Sequence, residues 1–215
     1  MKNIRAIPKI FLTTALLGLL AAGVQGCFPL MVTGAAVTSL AATDRRTTGT
    51  QLEDKTIELK TCKRVGNQFP GSVHVNCNSY NRRILITGEV LSAETKAQIE
   101  AIAKGVENVE SVINELEIAG PASFTARSND VLITSKVKAS FVDASDLYAN
   151  AFKVTTERGI VYLQGLVTQR EGDRAAEIAS RVGGVAKVVK LFEYISEDEL
   201  KKLSTLSAPS EPAQK

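Results

Sequence analysis

The chain contains no tryptophan, one histidine and three cysteines, and aromatic residues make up only 5% of it. A catalytic or metal-binding histidine needs partner side chains, and no cysteine–histidine cluster with the spacing of a metal site is present. The sequence also lacks a serine nucleophile motif and a glycine-rich phosphate-binding loop. We therefore predict neither an enzyme nor a bound metal or cofactor, and we interpret His74 as a structural residue or a surface group between domains.

The N-terminus lacks an apolar run long enough for a transmembrane helix. The run from Ile10 to about Val24 is shorter than the roughly 20 residues that such a helix needs. It follows a basic leader and ends in small residues, a pattern that is typical of a secretory signal peptide. We therefore predict export from the cytoplasm.

Cys27 lies where this apolar run stops. The sequence VQGC, residues 24–27, resembles the lipobox at which bacterial lipoprotein signal peptidase cleaves. This resemblance predicts that residues 1–26 are removed and that Cys27 carries a diacylglycerol thioether and an N-acyl chain, a stable anchor at about 0.8 kcal/mol per buried CH2. Phe28, rather than Asp, after the cysteine resembles the sorting signal for the outer membrane. The alternative is an ordinary signal peptide with a cysteine there by chance.

The charge balance argues against a nucleic-acid partner. The chain has 26 Lys and Arg against 23 Asp and Glu, but its leader holds three bases, Lys2, Arg5 and Lys9, and no acid. The charges therefore balance once the leader is removed, whereas a nucleic-acid surface needs an excess of basic residues.

Two further segments are predicted to lie outside the folded part. Residues 27–44 are rich in small residues and carry no charge before Asp44, so we predict a lipidated tether. Residues 197–215 begin with the charge-rich EDELKK, predicted as a short solvated helix. They end in a stretch without periodicity, predicted as a disordered tail.

An internal repeat fills the region between these segments. ILITGEV at 84–90 aligns with VYLQGLV at 161–167, so that Gly88 matches Gly165. Glycine within a strand marks a bulge or a close backbone approach. The match continues through a helix and a valine-rich strand, and we infer two copies of one small module.

Each copy is predicted to fold in the order α-β-β-α-β. The first helix is predicted at 51–63, where Leu52, Thr56, Leu59 and Cys62 recur at helical spacing. Its counterpart is predicted at 130–142, with Ser128 or Asn129 as N-cap.

The fold class predicted from these elements is α+β. Two small domains, residues 45–119 and 127–196, each have a three-stranded sheet with two helices on one face. The other face of each sheet needs cover, and the second domain is the obvious candidate for covering the first.

The two copies resemble the BON domain. The second carries RGIVYLQGLV at 158–167 and ASRVGGVAKVVKLF at 179–192, and the first carries the looser RRILITGEV and GVENVESVINELEI. With the lipobox, TDRRTTG and SNDVLITSKV, the chain resembles the dual-BON outer-membrane lipoproteins of Gram-negative bacteria.

This resemblance implies a non-enzymatic role on the periplasmic face of the outer membrane. Such proteins keep that membrane intact, gather at division sites and bind anionic phospholipid. They are also linked to the outer-membrane protein assembly machinery and to control of septal amidases. The alternative function is a protein-interaction adaptor for either system without direct lipid contact. A chaperone-like factor is a third hypothesis.

The resemblance places lipid binding on the first helix of the second domain. Leu132, where the family carries a tryptophan, is then an apolar contact together with Val137, Phe141 and Val142, and Lys136 and Lys138 face the phosphates. The periodicity leaves another interpretation open, because Ile133, Val137 and Phe141 also fit one stripe buried in the core.

Cys62 and Cys77 are the remaining cysteines. In the oxidising periplasm a disulfide between them would close a loop of about 15 residues and contribute about 3 kcal/mol. Two buried free thiols are the alternative.

Overall fold

The computed structural model of the protein describes residues 44–71 and 73–207. The predicted signal peptide, Cys27, nearly all of the predicted tether and the end of the predicted tail lie outside the described residues. The two α-β-β-α-β modules and the helix after them lie within them, and we call the modules the first and the second domain.

The first domain contains two helices and a sheet whose third strand is interrupted. Strand β2 is central, antiparallel to β1 and parallel to β3 and β4. The elements are α1 Thr48–Gln68, β1 His74–Tyr80, β2 Arg83–Val90, α2 Ala93–Lys104, β3 Ser111–Asn114 and β4 Glu117–Ile118.

The second domain repeats this order. Strand β6 is central, antiparallel to β5 and parallel to an unbroken β7. The elements are α3 Phe124–Asp143, β5 Phe152–Glu157, β6 Ile160–Val167, α4 Gln169–Ser180 and β7 Lys187–Tyr194, followed by α5 Glu197–Ser207. The predicted α+β class and the order of elements in both copies are confirmed.

The start of α3 differs from the prediction. Ser123 is the N-cap, and its hydroxyl accepts the N–H of Ala126 at 3.1 Å. The predicted caps Ser128 and Asn129 are therefore wrong, because they lie inside the helix. No glycine or proline interrupts residues 124–129, so the helix can begin at the earlier serine.

The buried face of α1 also differs from the prediction. Leu52 and Leu59 are 70% and 64% exposed, so the stripe that they were predicted to share is not the core face. The buried side chains of this helix include two carboxylates: Asp54, Ile57, Glu58, Thr61 and Val65. Hydrophobic periodicity fails here because charged residues with partners elsewhere in the fold occupy core-facing positions.

Asp54 shows what such a buried carboxylate does. It accepts the backbone N–H groups of Asn81 and Arg82 at 2.8 and 2.7 Å, in the turn between β1 and β2. Both turn residues have positive φ, which is uncommon for residues other than glycine. Asp130 on α3 accepts the two equivalent N–H groups of the β5–β6 turn at 2.9 and 2.8 Å. One carboxylate thus ties the first helix of each domain to its hairpin.

Replacing Asp130 with alanine is expected to destabilise the protein by about 2 kcal/mol, because two turn N–H groups lose their acceptor. Urea denaturation followed by circular dichroism measures the change. Asp143→Ala, at the exposed C-terminal end of the same helix, is the control and is expected to change the stability little. Equal losses in the two variants would contradict this role of Asp130.

The repeated glycines mark two close backbone approaches, as predicted. A Cβ atom on Gly88 would lie 2.0 Å from the carbonyl oxygen of His74, and Gly88 also has a φ of +117°. A Cβ atom on Gly165 would lie 2.6 Å from the carbonyl oxygen of Ala151. No larger residue fits either place without moving the neighbouring backbone.

A disulfide joins α1 to β1 in the first domain. Cys62 and Cys77 are bonded, with their Cα atoms 6.0 Å apart. This is the pairing that the sequence favoured over two free thiols. Cys77 also packs against the buried cluster that Ile57 and Ile84 share.

The second domain covers the free face of the first sheet, as predicted. Leu85, Thr87 and Glu89 alternate with the core residues of β2 and are buried. Polar contacts connect this face to the second domain: Gln164 Nε2 donates to the carbonyl of Arg83 at 3.3 Å, and the N–H of Leu166 donates to the Tyr80 hydroxyl at 3.2 Å. The interface is therefore held by hydrogen bonds as well as by apolar contact.

Arg45 fastens the start of the described chain to the second domain. Its guanidinium forms two hydrogen bonds to the Glu171 carboxylate, at 2.7 and 2.8 Å, and a third to the carbonyl of Leu166 at 2.7 Å. The side chains of Arg45 and Glu171 are only 7% and 1% exposed. Burial alone would raise the pKa of Glu171, but the hydrogen bonds and charge of Arg45 hold it below its ordinary value.

Glu171→Gln is expected to cost about 3 kcal/mol at neutral pH, because the charge of Arg45 then stays buried without its partner. The pH dependence has a defined sign. Since folding lowers the pKa of Glu171, its contribution is complete above its ordinary pKa and is lost as the pH falls through the folded value. Denaturation midpoints measured from neutral pH to about pH 3 are therefore expected to fall more for the natural protein than for the variant.

Glu110→Gln is the matched control for this experiment, because Glu110 pairs with Arg82 in an exposed ion pair. It is expected to leave both the stability and the pH dependence nearly unchanged. A Glu171→Gln variant as stable as this control would contradict the role of the buried pair.

Candidate functional site

Helix α3 exposes a row of large apolar side chains. Phe124, Val131 and Val142 lie near one line along the helix, and Leu132 lies beside them. Their exposed fractions are 79%, 65%, 72% and 57%. Scattered exposed apolar residues are ordinary on a protein surface, but four large ones on one helix, with polar residues between them, make α3 a candidate contact surface. We call these four residues the α3 apolar face.

The opposite side of α3 forms the core of the second domain. Ile133, Val137 and Phe141 are each at most 1% exposed and pack with the second sheet. The ring of Phe141 lies 5.2 Å from that of Phe152. The predicted lipid contacts Val137 and Phe141 are therefore corrected to core residues, because their spacing of four directs both towards the sheet. Leu132 and Val142, by contrast, are exposed as the prediction requires.

Basic side chains flank the α3 apolar face. Arg127, Lys136 and Lys138 are all exposed. Neither lysine forms a salt bridge within residues 44–71 and 73–207. The acids of the helix are Asp130, buried against the turn, and Asp143 at the C-terminal end. The exposed surface of α3 therefore carries three basic side chains against one exposed carboxylate, that of Asp143.

A cleft connects this helix to the beginning of the described chain. It has a volume of about 590 Å³, and its lining includes Asp44 and Arg46 together with Lys138 and Val142. Arg46 is bound to Asp44 and Asp54 and lies 4.0 Å above the ring of Tyr80. The chain thus enters the fold next to the C-terminal part of the α3 apolar face.

Sequence reasoning missed three of the exposed residues on α3. Phe124 and Arg127 precede the helix predicted at 130–142, and the structure extends the helix back to include them, whereas Val131 lay inside the predicted helix but was not assigned to its exposed side. Once Ser123 is recognised as the N-cap, Phe124 and Val131 belong to one helix, and their spacing of seven residues places them on the same side of it. This spacing was the signal in the sequence.

Comparison with known proteins decides the family. The model of the BON domain matches residues 53–120 and again residues 129–196. The chain belongs to the BON domain family. Its two domains are therefore BON domains, and α3 is the first helix of the second one.

Three relatives show how far the similarity extends. Outer membrane lipoprotein DolP of Haemophilus influenzae is 42% identical over 173 residues, covering 80% of this chain and 90% of that protein. The 21 kDa hemolysin of Actinobacillus pleuropneumoniae is 30% identical over 154 residues, covering 71% and 79%. Osmotically-inducible protein Y of Escherichia coli is 32% identical over 120 residues, covering 54% and 60%.

Among the described residues, no helix has the length and apolar character needed to span a membrane. The α3 apolar face is also interrupted by polar residues such as Ser135.

Proposed function

We propose that the protein is a lipid-anchored outer-membrane lipoprotein that faces the periplasm and binds anionic phospholipid through α3 of its second BON domain. In this role it helps to maintain the integrity of the outer membrane. Its accumulation at division sites stays a prediction from the family resemblance. The observation that carries the proposal is the α3 apolar face, exposed beside two lysines that form no salt bridge with any other described residue. The similarity to DolP, named an outer membrane lipoprotein, supports the location.

The two kinds of side chain on α3 have complementary tasks at a membrane. Apolar groups gain free energy by leaving water for the boundary between headgroups and acyl chains, and basic groups gain about 1 kcal/mol each near an anionic surface. Leu132 keeps the apolar contact of the tryptophan that the family carries there but has no N–H donor. Phe124 and Val131 extend the apolar contact beyond that single position.

The predicted anchor would make weak lipid binding effective. A lipid at Cys27 and the tether after it would confine the BON domains close to the membrane, because about 16 residues reach at most about 55 Å. Such confinement raises the local concentration of headgroups around α3. The cleft that Asp44 shares with Val142 supports this arrangement, because the tether joins the fold beside the proposed lipid surface.

Leu132→Asp is expected to abolish binding to phosphatidylglycerol micelles, because it places a charge at the apolar boundary. Residues 28–215, which lack the lipid acceptor, are titrated with these micelles while amide NMR shifts are recorded. Replacing Lys136 and Lys138 with alanine is expected to weaken binding about fivefold per lysine at low salt. Phosphatidylcholine micelles test whether the lipid must be anionic.

Leu52→Asp is the matched control, because Leu52 is an exposed leucine on α1 of the first BON domain. It is expected to bind lipid like the natural protein. Loss of binding in both variants, or shifts outside α3 in the natural protein, would contradict the proposed site. A folded protein that anionic micelles leave unchanged would favour the adaptor function.

A further inference from the structure

The only histidine of the chain lies at the interface between the two BON domains. His74 and Glu89 are directly opposite each other on β1 and β2, and His74 Nδ1 lies 3.0 Å from Glu89 Oε2. Glu157, the last residue of β5, reaches this place from the second domain. One potential ligand atom from each of these three residues lies within 4.8 Å of the others. The fold therefore assembles a histidine and two carboxylates that are far apart in sequence.

The Glu157 carboxylate is buried without a cationic hydrogen-bond donor. It accepts hydrogen bonds from Asn76 Nδ2 at 2.8 Å and from Thr87 Oγ1 at 3.3 Å, and both donors are neutral. A charged carboxylate in such a place is costly unless a cation accompanies it.

Glu89 is also incompletely satisfied. Its side chain is 1% exposed, and among the described residues its Oε1 atom has no hydrogen-bond partner. The guanidinium of Arg158 is 3.6 Å away, beyond hydrogen-bond distance, and donates instead to Glu117 at 2.7 Å. The buried Glu89 carboxylate thus has one oxygen beside the His74 imidazole and a second oxygen that lacks a hydrogen-bond partner among the described residues, and a bound ion would satisfy the second.

We propose that His74, Glu89 and Glu157 form a binding site for a divalent metal ion of the zinc class between the two BON domains. Imidazole nitrogen and carboxylate oxygen are donors that zinc accepts together, whereas magnesium and calcium prefer oxygen alone. A cleft of about 450 Å³ reaches His74 and Glu157 and provides access and room for water as a further ligand. The proposal does not rest on lipid binding, although Arg127, Val131 and Lys138 of α3 also line this cleft.

The sequence predicted no metal site because its candidate ligands are not clustered along the chain, and the proposed site departs from that prediction. The sequence contains no local cluster of metal ligands, but the sheet register brings His74 to Glu89, and domain packing adds Glu157. Because the ligands come from both domains, a bound ion would link them and stabilise their arrangement.

Zinc titration of the full chain, purified in zwitterionic detergent without a histidine tag and treated with chelator, tests the proposal. Calorimetry is expected to show one Zn2+ per chain, with no comparable binding of Mg2+. His74→Gln and Glu157→Gln are each expected to weaken zinc binding about tenfold or more. Glu107→Gln, an exposed carboxylate outside the site, is the control and is expected to bind zinc like the natural protein.

The single histidine provides a second readout that does not depend on the variants. The imidazole C–H resonances belong to His74 alone, and stoichiometric Zn2+ is expected to shift them and to raise the thermal unfolding midpoint. Zinc that binds without moving these resonances would bind elsewhere and would overturn the proposal. An absence of zinc binding would overturn it too and would favour a proton as the ion that neutralises Glu157.

Discussion

The buried ion pair between Arg45 and Glu171 is the constraint on which the placement of the second domain depends. Arg45 precedes the first helix of the first BON domain, and Glu171 begins the second helix of the second. Glu171 also accepts the N–H of Thr168 and so completes the cap of its own helix. One carboxylate therefore links the start of helix α4 to Arg45, which directly follows the end of the predicted tether at residue 44.

The rest of the interface follows the same chemistry. Lys153 of the second domain donates a hydrogen bond to Glu58 of α1. Burial alone would raise the pKa of Glu58, but the hydrogen bond and charge of Lys153 hold this pKa below its ordinary value. Asn81 donates to Glu193 at 2.8 Å, and Arg158 donates to Glu117. Buried polar groups require defined partners, so such an interface specifies one arrangement more strongly than apolar contact does. The His74 cluster is the place where this pairing is incomplete.

The repeat and the order of elements could be predicted because they depend on local patterns. Alternating apolar residues and matched glycines define the strands, and Gly88 and Gly165 mark the same close approach in both copies. The buried face of α1 could not be predicted, because Asp54 and Glu58 have partners on β1, in the following turn and in the second domain. Such partners are set by tertiary packing and leave no trace in hydrophobic periodicity.

The candidate site was predicted in part for the same reason. Leu132 and Val142 are exposed, as a lipid contact requires, but Val137 and Phe141 belong to the core stripe that the periodicity had also indicated. Phe124 was missed because the helix begins at an earlier serine, whereas Val131 lay inside the predicted helix and was not recognised as exposed. In the interfacial cluster, Glu89 and Glu157 lie 15 and 83 residues after His74, a separation that no motif spans.

The most direct test of the central claim is whether the two BON domains form one rigid unit through the Arg45–Glu171 pair. Residual dipolar couplings of backbone N–H groups report the orientation of each domain in a weakly aligned sample. We predict that one alignment tensor fits both domains of the natural protein and that Arg45→Met requires two. Couplings from the natural protein that already require two independent tensors would contradict a fixed arrangement held by this ion pair.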